Sequence, residues 1–177
     1  MKPMDEIEVK LKYKNRAGII DWLRQNNFKL VKKQEIRDSY FSPKPTSMSS
    51  IDSFYRIRDI VGASVELTLK DNFQENSGIK TRREINVSVD DPEKMTAILT
   101  SLGCTLFKEN CSKREIWENR QVSFEFIDFY KPTELSLIEI EGPNHEIIQT
   151  LIDSLGDRVE VAGEDLFSVF DKKKYVN

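Results

Sequence analysis

The chain has 177 residues, 38% of them apolar and 32% charged, which suits a single domain with a real but modest core. Lysine and arginine number 27 against 30 acidic residues, a net charge of −3, so a general nucleic-acid binder is disfavoured and any anion site must be a local cluster of base. Cys104 and Cys111 match no zinc or redox spacing, no stretch approaches the ~18 apolar residues of a membrane span, and residues 1–6 hold no apolar leader. A reduced, cytoplasmic protein without a membrane partner is the expectation. The single histidine, His145, would have to carry any Ser-His-Asp triad or histidine-rich zinc site alone, and it reads as a surface residue at a helix start.

In chain order, period-two alternation first predicts a strand over 7–13. Ile19, Ile20 and Leu23, followed by Phe28, then give a helix over 16–27 that Gly18 weakens. Strands follow over 29–35 and 37–41, and a Pro/Ser-rich loop over 42–52. Strands over 54–60 and 64–70 precede a second loop over 71–79 and a strand over 81–89. The clearest helix comes next: Asp91 caps it, Pro92 suits its first position, Met95, Ile98, Leu99 and Leu102 form its stripe, and Gly103 stops it. Short strands over 105–108, 113–119, 122–129 and 137–141 lead to a helix over 144–155 with Ile147, Ile148, Leu151, Ile152 and Leu155 inward. A short amphipathic piece over 164–170 and the solvated Lys172-Lys173-Lys174 end the chain.

Glu6-Ile7-Glu8-Val9 returns 78 residues later as Glu84-Ile85-Asn86-Val87, each copy leading into a helix and then strands. The echo predicts one domain over 1–177 made of two halves, about 1–79 and 80–177, closed as an antiparallel barrel or sandwich of the α+β class. Strand after strand pairs an aliphatic face with an ionic one: Glu6, Glu8 and Lys10 oppose Ile7, Val9 and Leu11, and Glu139 and Glu141 oppose Ile138 and Ile140. A charged outer face is ordinary for one strand, but this face is almost purely ionic, and the helices can cover the aliphatic side. Charged faces turned toward one another inside a barrel must be wet and balanced, because unpaired buried ions cost several kcal/mol each. Lys10, Arg56, Arg58, Lys70, Arg82 and Arg114 balance Glu6, Glu8, Glu84, Asp128, Glu139 and Glu141. Carboxylates without His or Cys select Mg²⁺ or Mn²⁺, and arginines select phosphate oxygens, so the set describes a site for a metal-bound polyphosphate.

Glu6-Ile7-Glu8-Val9-Lys10 resembles the ExExK signature of the CYTH superfamily, the triphosphate tunnel metalloenzymes. The resemblance continues in order through Asp38-Ser39-Tyr40-Phe41, Tyr55-Arg56-Ile57-Arg58, Leu67-Thr68-Leu69-Lys70, Thr81-Arg82-Arg83-Glu84, Lys113-Arg114-Glu115, Asp128 and Glu139-Ile140-Glu141, and looks closest to the class IV adenylyl cyclase branch, with thiamine triphosphatase as a relative. It implies an eight-stranded antiparallel tunnel with helices outside. It implies that Glu6, Glu8, Glu139 and Glu141 hold one or two divalent ions, Mg²⁺ or Mn²⁺, with Asp128 and Glu84 completing the shell or orienting the basic residues. Lys10, Arg56, Arg58, Lys70, Arg82, Arg114 and Lys113 would grip the triphosphate, Asp38 and Tyr40 would support them, and Glu8, Lys10, Arg58, Lys70 and Arg114 would carry catalysis. Three departures stand out: Ser112 replaces a lysine two residues before Arg114, Asn86 replaces a carboxylate, and Lys131-Pro132-Thr133-Glu134 replaces a glycine-rich turn. The expected reaction is metal-dependent attack on a nucleoside, thiamine or inorganic triphosphate. Hydrolysis ranks ahead of cyclisation to cyclic AMP, for want of a recognisable adenine pocket, and a non-catalytic triphosphate sensor is the rival. Small-molecule triphosphates are the expected partners rather than nucleic acid, an RNA 5′-triphosphate end being the one nucleic-acid group of matching chemistry; the sequence does not read out the oligomeric state, and the resemblance leaves room for a homodimer.

Overall fold

The computed structural model describes residues 4–43 and 53–163. Its elements follow one another as β1 (Met4–Tyr13), α1 (Arg16–Gln25), β2 (Lys29–Ser42), β3 (Phe54–Ile60), β4 (Ser64–Asn76), β5 (Ile79–Val89), α2 (Pro92–Ser101), β6 (Thr105–Glu118), β7 (Ser123–Lys131), β8 (Leu135–Glu141), α3 (His145–Leu155) and β9 (Val159–Val161). β1 pairs with β8 on one edge and with β5 on the other, which closes the ring β1-β5-β4-β3-β2-β6-β7-β8 into an antiparallel barrel. β9 continues the edge beyond β5, with Val161 opposite Leu11. The order strand, helix, three strands occurs twice, as β1-α1-β2-β3-β4 and β5-α2-β6-β7-β8, and exchanging the two sets leaves every neighbour relation of the ring intact.

Each helix starts on a side-chain cap that accepts from otherwise orphaned amides: Asn15 from Gly18, Asp91 from Glu93 and Lys94, Asn144 from Ile147. Gly18 sits in the first turn of α1, where that cap holds its N–H, so its low helix propensity does not break the helix. α1 and α3 bury Ile19, Leu23, Ile148 and Leu155 against Val9, Leu11, Phe124, Phe126, Ile138 and Ile140, which form the outer face of β1, β7 and β8. α2 sets Leu99 on Phe41, Ile57 and Cys104, over β2, β3 and β6. The aliphatic side of the strands is therefore the outside of the barrel, and the alternate side chains line its interior.

Several expected boundaries move. The segments 29–35 and 37–41 are one strand, as are 105–108 and 113–119, because β2 and β6 pair along nearly their whole length and the ladder carries across the polar residues between them. The expected loop at 71–79 is largely a hairpin: β4 runs on to Asn76, with a register shift between Asp71 and Gln74, and turns at Ser77-Gly78, both at positive φ. On α2, Leu99 is buried and Met95 half-buried, but Ile98 and Leu102 are 51% and 73% exposed, since the helix touches the barrel along a narrower stripe than its sequence offers. Most of the 42–52 loop, the 164–170 piece and Lys172-Lys173-Lys174 lie outside the described residues.

Candidate active site

Alternation along the strands sends Glu6, Glu8 and Lys10 of β1 into the barrel, and the ladder carries the same side around the ring. Glu6 stands opposite Arg82, Glu8 opposite Glu141, Lys10 opposite Glu139, Lys70 opposite Glu84, Arg58 opposite Asp38, and Arg56 opposite both Thr68 and Tyr40. Of the side chains the sequence nominated, Glu6, Glu8, Lys10, Asp38, Tyr40, Arg56, Arg58, Lys70, Arg82, Glu84, Arg114, Glu139 and Glu141 all lie on this inner face.

Two do not. Asp128 shares its side of β7 with Phe124 and Phe126, so it points outward. There Arg16 of α1 pairs with Asp128 at 2.6 Å and with Glu115 at 2.9 Å, and lies 4.5 Å from the Phe126 ring centroid. Lys113 is exposed on the outer face beside it, because β6 keeps step with β2 through Ser112, Lys113 and Arg114 and the register shift against β7 falls before Ser112. The inward carboxylate of β7 is Glu125, 2.8 Å from Arg114. β6 contributes more than expected: Lys108, Asn110, Ser112 and Arg114 are all buried and alternate along one inner line.

The charges are segregated. In a ring of eight, β3 and β4 lie across the lumen from β7 and β8. The first pair presents Arg56, Arg58 and Lys70 together with the half-buried Glu66, 3.9 Å from Arg56, and the second presents Glu125, Glu139 and Glu141. Bridges link these walls to the strands between them. Asp38, fully buried, takes both Nε and an Nη of Arg58 at 2.8 and 2.9 Å. Lys10 joins Glu8 (2.5 Å) and Glu139 (2.6 Å), and Lys70 joins Glu6 (2.5 Å) and Glu84. Arg114 lies 3.7 Å from Asp38 and 3.9 Å from Glu139.

These contacts decide the protonation states. Burial works against ionised Asp38, but Arg58, with Arg56 and Arg114, outweighs it and holds the carboxyl well below the usual range. Glu139 is likewise held low against its burial by Lys10 and Arg114, and Lys10 is raised despite burial by Glu139 and Glu8, so it stays cationic. Glu141 behaves oppositely. Although Glu141 is exposed at the end of β8, desolvation by its surroundings and the fields of Glu6, Glu139, Glu8 and Glu84 push it up to about 7, and it forms no ion pair among the described residues. Glu6 is also raised, by burial and by Glu84 and Glu139, although Lys70 pulls the other way. The acidic wall thus carries negative charge that the protein's own bases leave uncompensated. An all-oxygen donor set of this kind fits a hard divalent cation. Among the described residues no three potential ligands are already drawn together as a chelate, the two lysines holding four of the carboxylates. Buried Nε atoms of Arg56, on β3, and of Arg114, on β6 beside the acidic wall, have no hydrogen-bond partner.

The CYTH domain family model matches residues 4–163. A "putative adenylate cyclase" of Methanocaldococcus jannaschii is 35% identical over 115 residues, which span 65% of this chain and 63% of that protein. Among solved structures, a Pyrococcus horikoshii protein superposes with a TM-score of 0.71 at 24% identity, over 88% of this chain and 94% of the other. A Hippeastrum protein, described as a putative adenylyl cyclase with a dominant triphosphatase activity, gives 0.71 at 20% identity, over 97% of both chains. At these identities the two structures show a shared fold.

Proposed function

The chain belongs to the CYTH domain family, and from that premise we propose that it is a divalent-cation-dependent enzyme that cleaves triphosphates inside the barrel, by hydrolysis. The observation that carries this reading is the opposition of Arg56, Arg58 and Lys70 to Glu125, Glu139 and Glu141 across one lumen. A triphosphate alone would be repelled by the acidic wall, and a cation alone by the basic one. Their complex satisfies both.

In this reading Arg56, Arg58, Lys70 and Arg82 hold the phosphate oxygens, with the unpartnered Nε–H groups of Arg56 and Arg114 as further available donors. Glu6, Glu8, Glu139 and Glu141 would hold Mg²⁺ or Mn²⁺, and a cation bound there would supply charge neutralisation and Lewis-acid polarisation. Asp38 fixes the Arg58 guanidinium through a forked pair of bonds, and the Tyr40 hydroxyl donates to the same carboxylate at 3.5 Å. Water attacks the terminal phosphorus in line, the bridging P–O bond breaks, and the charge gathering on the leaving oxygen falls to the arginines.

The test is a phosphorus NMR product assay with Mg²⁺ or Mn²⁺ on ATP, thiamine triphosphate and tripolyphosphate separately. Orthophosphate supports hydrolysis. Pyrophosphate with cyclic AMP instead marks a cyclase, the second reading, which the name of the M. jannaschii relative favours. Tight binding without turnover marks a sensor. Glu8→Ala should lower turnover roughly a hundredfold or more in an enzyme, the scale of removing one transition-state electrostatic contact, and leave a pure binder's affinity unchanged or tighter.

A further inference from the structure

The β4–β5 hairpin carries a β-bulge just past Lys70. Asp71 pairs with Arg83 and Gln74 with Thr81, so two residues of β4, Asn72 and Phe73, face the single residue Arg82 of β5. Asn72 has a φ of 52°, a left-handed conformation that asparagine tolerates better than most residues. The extra residue changes the alternation. In an unbroken ladder Lys70 and Asn72 would point inward, and Phe73 outward with Asp71. Past the bulge the sides exchange: Phe73 joins Arg82 and Glu75 joins Lys80 on the inner side, while Gln74 shares the outer side of Thr81, which contacts His145 of α3 at 3.0 Å. On the outside Arg83 donates two hydrogen bonds to Asp71, one from Nε at 2.7 Å, and ties the two strands together where the bulge begins.

The ring that this exchange turns inward meets a cation. The Arg82 guanidinium carbon lies 4.3 Å from the Phe73 ring centroid and 5.1 Å from that of Phe54, which stands opposite Lys70 on β3. Lys80 Nζ lies 6.0 Å from the Phe73 ring. At 37% exposure Phe73 is not a core residue, so burial does not account for its place. A ring attracts a guanidinium through its quadrupole and its flat face. It contributes no counter-charge, so it orients the cation without weakening its attraction for an anion. Asp38 fixes Arg58 in the other way, by neutralising it. Resting on the triphosphate reading above, we infer that Phe73 is a positioning residue: turned inward by the bulge, it holds Arg82, together with Phe54, in the pose that grips a phosphate oxygen. The hairpin expected as a loop thereby becomes a working part of the phosphate site.

The experiment measures kcat and KM on tripolyphosphate and on ATP with Mg²⁺, and Kd for both by calorimetry. The proteins are the wild type, Phe73→Leu, Phe73→Tyr, Arg82→Ala and the Phe73→Leu/Arg82→Ala double variant. Thermal melts verify folding, which a part-exposed position with its apolar bulk retained should not harm. Phe73→Leu should raise KM and Kd about fivefold, the scale of one partly exposed cation–ring contact, with kcat little changed. Phe73→Tyr keeps the ring and should restore the wild-type values. Arg82→Ala should raise both constants at least as much, and adding Phe73→Leu to it should change them little further, because the ring has then lost the guanidinium it holds. The inference is overturned if Phe73→Leu leaves KM and Kd unmoved, if Phe73→Tyr behaves as Phe73→Leu does, or if the two substitutions are additive. Any of these results with a wild type that binds or turns over either triphosphate overturns this inference alone. A wild type that neither binds nor turns over them removes the triphosphate reading, and the role of Phe73 with it.

Discussion

Asp38 shows how a single buried carboxylate sets the cost of change in the lumen. Its two oxygens take a forked pair of bonds from Arg58, and Arg114 stands nearby. Asp38→Ala leaves a guanidinium buried without its counter-ion, so urea denaturation should register a loss of about 3–5 kcal/mol. Glu141 has the reverse thermodynamics. Its folded pKa, about 7, lies above its ordinary value of 4.5, so its contribution to stability is full in acid and is lost as pH rises through about 7. In cation-free buffer the melting temperature of the wild type should fall between about pH 5 and 8, and Glu141→Gln should flatten that fall. A steeper decline in the variant would contradict the assignment. These roles were partly legible beforehand. The ExExK spacing and the paired Arg56 and Arg58 pointed inward without ambiguity, because each alternates with aliphatics. Asp128 did not, because Phe124-Glu125-Phe126-Ile127-Asp128 is apolar on both sides of the strand. The two phenylalanines were the signal that Asp128 faces the helices and Glu125 the lumen.

At the scale of elements, the misplaced carboxylate turns out to hold a helix. Arg16 in the first turn of α1 reaches Asp128, Glu115 and the Phe126 ring together, so it fastens the helix to the barrel wall. Asp128→Asn should cost about 1 kcal/mol, as expected of a half-exposed pair within a small network, and retain turnover, in contrast to Glu8→Ala. On α2 the narrow contact makes a sharper contrast. Leu99→Ala should cost about 2–5 kcal/mol, whereas Ile98→Lys and Leu102→Lys should stay within roughly 0.5 kcal/mol in thermal or urea melts. Helix positions were readable from their apolar stripes and, for α2, from the capping chemistry of Asp91, while the Asn15 and Asn144 caps emerge only in the structure. The continuous inner line of β6 was not, because Asn110 and Ser112 look like loop residues in isolation. Only pairing with β2 shows that Lys108, Asn110, Ser112 and Arg114 form one wall.

For the whole molecule, the twofold relation between β1-α1-β2-β3-β4 and β5-α2-β6-β7-β8 applies to the backbone ladder but not to the charges. Exchanging the halves carries β3 and β4 onto β7 and β8, and so carries the basic wall onto the acidic one. A triphosphate seated there should raise stability by about 2.7 kcal/mol at a hundred times its dissociation constant, readable as a shift in melting temperature with Mg²⁺ present. Opposite charge on facing walls also makes the lumen a small capacitor, with a field directed across the axis. Such a field favours a guest that is itself a dipole, cationic on one side and anionic on the other, over either ion alone. Cation and triphosphate should therefore bind cooperatively, each raising the other's affinity by the same factor, as linkage requires. The asymmetry also fixes which way round that dipole sits, so a barrel nearly symmetric in its backbone still has a single direction in which to hold its guest.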